Sequence, residues 1–194
     1  MGIPASIRTE RLLLRRWRIE DATQMLAALE ANVTHLQPWI PPHVALPAPP
    51  PEIALRLAGF IADFETGRGW RYGIFSPDEA QLFGEVSLFP RGLDGRVPFA
   101  EADRVEIGYW LRKDVTGQGF ATEAARAMFE LAGTLPGIGC VEVRCDAMNV
   151  RSAAIPERLG FQLAALLPVP GRGDAPPSQD MIWQYVLPAS LPHG

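Results

Sequence analysis

The sequence predicts one α/β domain, a mixed sheet with helices on both faces. Three observations carry this expectation. Strand-like and helix-like segments follow the order β-α-α-β-β-β-α-β-α-β-β. The turn Ser76-Pro77-Asp78 joins two adjacent strand-like runs and demands an antiparallel hairpin. In the second half, helices separate single strands, which demands crossovers. The 194 residues suit a single domain over 1–194, and a hydrophobic share of 47% is enough to fill its core.

The elements follow in order. Arg11 to Trp17 reads as the first strand, through Leu12-Leu13-Leu14. A helix comes next, with Asp21 at its N-cap and Met25, Leu26 and Leu29 at helical spacing. Pro38 to Pro51 is dense in proline, which denies it regular structure and leaves a semi-rigid crossing. Glu52 to Glu65 is helical, with Ile53, Leu57, Phe60, Ile61 and Phe64 on one face, and Gly67 and Gly69 stop it. The hairpin strands are Trp70 to Phe75 and Leu82 to Phe89. After a polar loop over 90–103, Val105 to Leu111 is a strand. A helix over Phe120 to Ala132, a strand over Val141 to Ala147 and a short helix over Ser152 to Leu159 follow. Phe161 to Leu167 and Met181 to Leu187 close the sheet across the loop 168–178.

Composition excludes several classes. A net charge of −4 argues against a dedicated nucleic-acid binder. Of the 18 basic residues only Lys113 is a lysine, which reads as compositional bias rather than mechanism. Cys140 and Cys145 form no C-x-x-C pair, and His35, His43 and His193 show no metal spacing, so no metal is expected. The histidines read as solvated loop residues. Met1 to Arg8 lacks an apolar signal core and no run reaches the length of a membrane span, so the expectation is a cytoplasmic protein.

The informative segment is the strand Val105 to Leu111, the turn to Gly117-Gln118-Gly119, and the helix beginning at Phe120. Two glycines one residue apart at a helix start expose backbone N–H groups with no side chain in the way. That arrangement suits a phosphate or pyrophosphate. No Gly-Lys-Ser/Thr follows, and the third glycine of a dinucleotide fingerprint is Thr122, so neither of those motifs applies. A plain strand–helix turn remains the alternative. Further on, Asn149 and Ser152 stand together at a second helix start, where capping explains one of them more readily than both.

These segments, Gly117-Gln-Gly-Phe-Ala-Thr-Glu-Ala124, Val141 to Ala147 and Asn149-Val-Arg-Ser to Phe161, together resemble the GCN5-related N-acetyltransferases (GNATs). More narrowly, the chain resembles the branch of ribosomal-protein alanine or serine N-terminal acetyltransferases. Arg8 to Arg15, Asp21-Ala22, Leu36 to Trp39 and Glu106 to Leu111 extend the resemblance over nearly the whole chain. It implies a GNAT fold: a mostly antiparallel seven-stranded sheet, splayed between its fourth and fifth strands, 105–111 and 141–147.

It also implies an acetyl-coenzyme A site. Main-chain groups of Tyr109, Trp110 and Leu111 would pair with the pantetheine arm. The amides of Val115, Thr116, Gly117, Gln118, Gly119 and Phe120, with Ala121 and Thr122 behind, would hold the pyrophosphate. Asn149 would meet the pantetheine, and Ser152 would lie near the phosphate or the sulfur. Two departures matter. Asp114 occupies the first position of the family's Q/R-x-x-G-x-G/A motif. Pro156 stands where many relatives carry the tyrosine that protonates the departing thiolate, and the helix must kink or run short there.

Acetyl transfer needs a neutral amine, and an α-amine, with a pKa near 8, needs less help than a lysine. Glu106 is the first candidate for the base, with an ion pair to a neighbouring arginine such as Arg104 or Arg144 as its alternative role. Glu85 is the second, and with Trp39 it is placed on the acceptor side. Ser152 and Tyr109 are the remaining donors for the thiolate. The expected partner is a protein or peptide N-terminal amine. Small amines, or a non-catalytic acyl-coenzyme A sensor, are the alternatives. A monomer or homodimer is expected, without nucleic acid or membrane.

Overall fold

The computed structural model describes residues 2–169 and 177–188. Among the described residues nine strands form one sheet: β1 Ser6–Arg8, β2 Leu13–Arg16, β3 Trp70–Phe75, β4 Leu82–Gly92, β5 Gly95–Arg96, β6 Arg104–Leu111, β7 Cys140–Asp146, β8 Gln162–Val169 and β9 Ser178–Val186. Their order is β1-β2-β3-β4-β6-β7-β9-β8, with β5 folded back onto β4. Every pairing is antiparallel except β6 with β7.

The sheet therefore has two more strands than expected. β1 and β5 are three and two residues long. Both are too short for a periodicity to be read from sequence, and both take their structure from the neighbour they pair with.

The helices are α1 Ala22–Glu30, α2 Val33–Leu36, α3 Pro42–Ala45, α4 Pro50–Thr66, α5 Phe120–Ala132 and α6 Val150–Arg158. They cover both faces of the sheet. On one face, Met25 and Leu29 of α1 and Ile53 and Leu57 of α4 pack on Leu13, Phe75 and Trp110. On the other, Ala124, Ala125 and Met128 of α5 and Ile155 of α6 pack on Val86, Ile107 and Val143.

The proline-rich crossing is more regular than its composition suggests. Pro42 opens α3, and Pro50 and Pro51 open α4. Proline is suited to a first helical turn, where the missing N–H has no intrahelical acceptor. At the far end Gly67, in the left-handed conformation at φ +69°, terminates α4 as expected.

Asp21 stands at the N-cap of α1, but its side chain does not cap that helix. The carboxylate instead takes two hydrogen bonds from Arg15 (2.7 and 2.8 Å) and one from the Arg18 amide (2.8 Å). Arg15 also stacks over Phe75, 3.9 Å from the ring centre. The buried pair joins β2 to the turn before α1.

The feature that positions the site lies between β6 and β7. They pair only from Arg104–Cys140 to Ile107–Val143. Beyond that the strands diverge, and the last four residues of β6 have no partner on that side. Helix α5 follows the end of β6 and α6 follows the end of β7, so both helices start at the mouth of this splay.

Candidate active site

A cleft of about 990 Å³ occupies the mouth of the splay. Tyr109, Trp110 and Leu111 form one wall, Gly117, Gly119, Phe120, Ala121 and Thr122 the second, and Asn149, Ser152 and Ile155 the third. Trp39, 40% exposed, closes it from the side of α2.

The cradle starts later than the sequence suggested. Val115 is buried in the core, and its amide bonds the Arg112 carbonyl at 3.3 Å. The Thr116 amide is used in the same way, on Lys113 at 3.3 Å. From Gly117 to Thr122, the amides have no backbone acceptor among the described residues. Gly117 (φ +79°) and Gly119 (φ +86°) are left-handed, a conformation that costs other residues about 1–2 kcal/mol. Gly119 is the N-cap of α5 and no side chain caps that end. The result is a row of free donors at the positive end of a 13-residue helix.

The segment Thr9–Arg11 braces this row from behind. Glu123, in the first turn of α5, accepts from the Thr9 hydroxyl (2.5 Å), the Arg11 amide (2.8 Å) and the Arg11 guanidinium (2.7 Å). Arg11 also donates to the Gln118 carbonyl at 2.9 Å and lies over Phe120, 4.8 Å from its ring centre. Burial pushes the Glu123 carboxyl up, but the Thr9 and Arg11 hydrogen bonds outweigh it, and the net shift is downward. Asp114 is likewise neutralised, paired with Arg112 through its two oxygens. Neither carboxylate stands unpaired beside the cradle.

Asn149 and Ser152 divide their duties. Asn149 caps α6, its side chain accepting from the Ser152 amide at 3.2 Å. The Ser152 hydroxyl instead reaches across the splay and donates to the Tyr109 phenol oxygen at 3.2 Å. The Tyr109 hydroxyl in turn donates to the Ser152 main-chain carbonyl at 3.1 Å. Burial pushes the Tyr109 phenol well above its ordinary range, so it is a neutral donor at any physiological pH.

The two expected carboxylates are not on the cleft. Strand alternation puts Glu106 on the sheet face opposite to Tyr109. There its carboxylate accepts from Arg91 at 2.6 Å, with Arg144 at 3.9 Å. The ion-pair role foreseen for it is filled, but mainly by Arg91, which was not foreseen, while Arg104 pairs with Asp103 and Glu142. Glu85, 2% exposed, accepts from Arg71 at 2.6 Å and from the Trp17 indole at 3.0 Å. Both carboxylates are satisfied by cations that lie 15 and 14 residues away in sequence.

His35 was missed as a site residue. It is half-buried on α2 and lines the cleft beside Trp39. Burial, with Lys113 and Arg151 nearby, holds its imidazolium below the usual histidine range, against a hydrogen bond to the Leu111 backbone. It is therefore neutral at pH 7. No spacing rule marks a lone histidine of this kind; only the fold brings it to the splay. His43 is exposed as expected but sits on α3 and not in a loop, and His193 lies outside the described residues.

Comparison with known proteins places the chain in a family. The model of the acetyltransferase (GNAT) domain matches residues 11–162. The chain belongs to the GNAT acetyltransferases and is an acyltransferase. Among individual proteins it is similar to the [ribosomal protein uS5]-alanine N-acetyltransferase of Escherichia coli (strain K12), 27% identical over 155 residues, covering 79% of this chain and 76% of that one. Two solved structures share the fold. One is RimL, a ribosomal L7/L12 α-N-protein acetyltransferase in complex with coenzyme A. It has a TM-score of 0.79 and 19% identity, and the match covers 97% of this chain and 99% of that one. The other is the microcin C7 self-immunity acetyltransferase MccE in complex with acetyl-CoA and AMP. Its TM-score is also 0.79 at 18% identity, over 95% and 98% of the two chains. Among the described residues no helix is long and apolar enough to cross a membrane.

Proposed function

We propose that the chain transfers acetyl from acetyl-coenzyme A directly to a primary amine, the N-terminal amine of a protein or peptide. The single observation that carries the reading is the junction of two features: six consecutive amides without backbone acceptors at Gly117–Thr122, and a splayed strand edge at Tyr109–Leu111. The first suits a pyrophosphate, and the second suits an extended amide-bearing arm pairing as a further strand would. The glycines leave room for close approach, and the paired acids Glu123 and Asp114 do not oppose an anion. The acyl donor supplies an activated thioester, whose thiol leaves readily because its pKa is near that of free cysteine, about 8.5.

The chain's own groups supply the rest. The unpaired N–H groups at the end of β6 polarise the acyl oxygen. His35, a neutral imidazole on the cleft, takes a proton from the acceptor amine, directly or through water. Tyr109 stays neutral and donates a hydrogen bond to the sulfur as the carbon–sulfur bond breaks, with Ser152 behind it. The proton lost by the amine ends on the sulfur through solvent. Glu106 and Glu85 hold the sheet around the site through their arginines.

An N-terminal amine is favoured by its low pKa and by the likeness to enzymes named for ribosomal-protein N-termini. A thiol-release assay with acetyl-coenzyme A tests the reading. The panel holds peptides beginning with alanine or serine, the same peptides N-terminally blocked, and small polyamines and amino acids. Release with free N-termini and none with blocked ones is expected. Release with small amines alone would replace the acceptor, and tight binding without release from any amine would mark a sensor instead of an enzyme.

A further inference from the structure

Pro156 lies at the seventh position of α6, a nine-residue helix. A residue there would ordinarily donate its N–H to the carbonyl four residues back, which is Ser152. Proline has no N–H, and its ring crowds that same carbonyl and tilts it outward. A half-buried carbonyl that has lost its helical donor gains from a partner elsewhere. Here the partner is the Tyr109 hydroxyl, 3.1 Å away across the splay. The Ser152 hydroxyl closes the arrangement from its own side at 3.2 Å. The vacancy that proline makes in the helix is filled by the phenol that faces the cleft.

We propose that Pro156 is a positioning residue for the acyl transfer: it releases the Ser152 carbonyl to hold the Tyr109 hydroxyl at the mouth of the splay. This rests on the role given above to Tyr109. While the sulfur is uncharged, the phenol donates to the carbonyl. A forming thiolate is an anion and the stronger acceptor, so the O–H turns to it when negative charge develops. The interaction is thus stronger in the transition state than in the ground state, as an interaction that raises turnover must be. The residue that cannot donate a proton fixes the one that can, and the catalytic hydroxyl comes from the β6 wall in place of the helix.

The test is a double-mutant cycle on Pro156→Ala and Tyr109→Phe, measured as kcat and KM for acetyl-coenzyme A, with coenzyme A affinity measured by calorimetry. Alanine restores the helical N–H and competes for the Ser152 carbonyl, and it is a good helix former, so P156A should fold and bind coenzyme A as the parent does. Y109F should lower kcat. P156A should lower kcat about fivefold, the worth of one neutral hydrogen bond, with KM little changed. In the Y109F background the same P156A change should have no further effect. An equal loss from P156A with and without the phenol would overturn the positioning role and leave Tyr109 in place. So would full activity of P156A. A Y109F enzyme with undiminished kcat would remove the Tyr109 role itself, and this inference with it.

Discussion

Two helices begin at the mouth of the same splay, and they begin differently. Helix α6 is capped by its own sequence: Asn149 accepts from the Ser152 amide. Helix α5 has Gly119 at the corresponding place, and no side chain caps it. One helix start is complete and the other is left with free donors. Under the proposed function the difference separates a structural terminus from a binding terminus within one cleft, and each half of it can be broken separately.

The largest effect should come from Gly119→Val. A Cβ there would lie 3.2 Å from the Arg11 guanidinium, and φ of +86° strains any β-branched residue. Losing one or two amide bonds to a charged phosphate should weaken coenzyme A binding by roughly tenfold to a hundredfold in calorimetry. Unchanged affinity would remove the cradle.

Arg11→Ala comes next. It releases the Gln118 carbonyl and leaves Glu123 unpaired beside the cradle, which should weaken coenzyme A binding by about threefold to tenfold. Arg11 is 45% exposed, so solvent limits the electrostatic share. Adding Glu123→Gln should recover part of the loss, because it removes the uncompensated charge. A double variant weaker than R11A alone would contradict the charge argument. Glu123 also makes a signed prediction for stability. Its folded pKa is depressed, so its contribution is present above the ordinary glutamate pKa of about 4.3. It is lost as pH falls through the lower folded value. Denaturant midpoints of the parent and E123Q should therefore converge on acidification from pH 5 to 3.

Asn149→Ala should show the opposite balance to G119V. Loss of the cap should cost about 1 kcal/mol of stability, and the loss in coenzyme A affinity should be smaller than that of G119V. The smallest effect concerns His35. The acceptor amine alone makes activity at limiting acceptor fall below about pH 8; below the usual histidine value of about 6.5 the fall should steepen further, and His35→Asn should remove only that added steepness. An unchanged acid limb would give the proton to solvent or to another group.

The legible parts of the sequence were those whose cause is local. The bounds of β3 and α5 follow from Gly69 before one and Gly119 before the other, each next to a clear apolar pattern. The start of α4 was local too, but Pro50 and Pro51 concealed it, because proline stops a helix in its interior and starts one at its first turn. The roles of Glu106 and Glu85 were not local. Their neutralising arginines, Arg91 and Arg71, sit on paired strands, and a carboxylate in a sequence does not show which cation it will meet. His35 is the same problem reversed, a residue with no motif carried to the cleft by α2. Pro156 was legible as a departure, but its compensation by Tyr109 crosses 43 residues of chain to Ser152 and needed the fold.

The proposed site is defined most directly by which amides meet the coenzyme. A ¹⁵N-resolved NMR titration with coenzyme A reads them one at a time. The largest shifts are expected at the amides of Gly117 to Thr122, with the Ser152 amide, held by Asn149, moving much less. Large shifts confined to α6, with the Gly117 to Thr122 amides unmoved, would contradict this expectation.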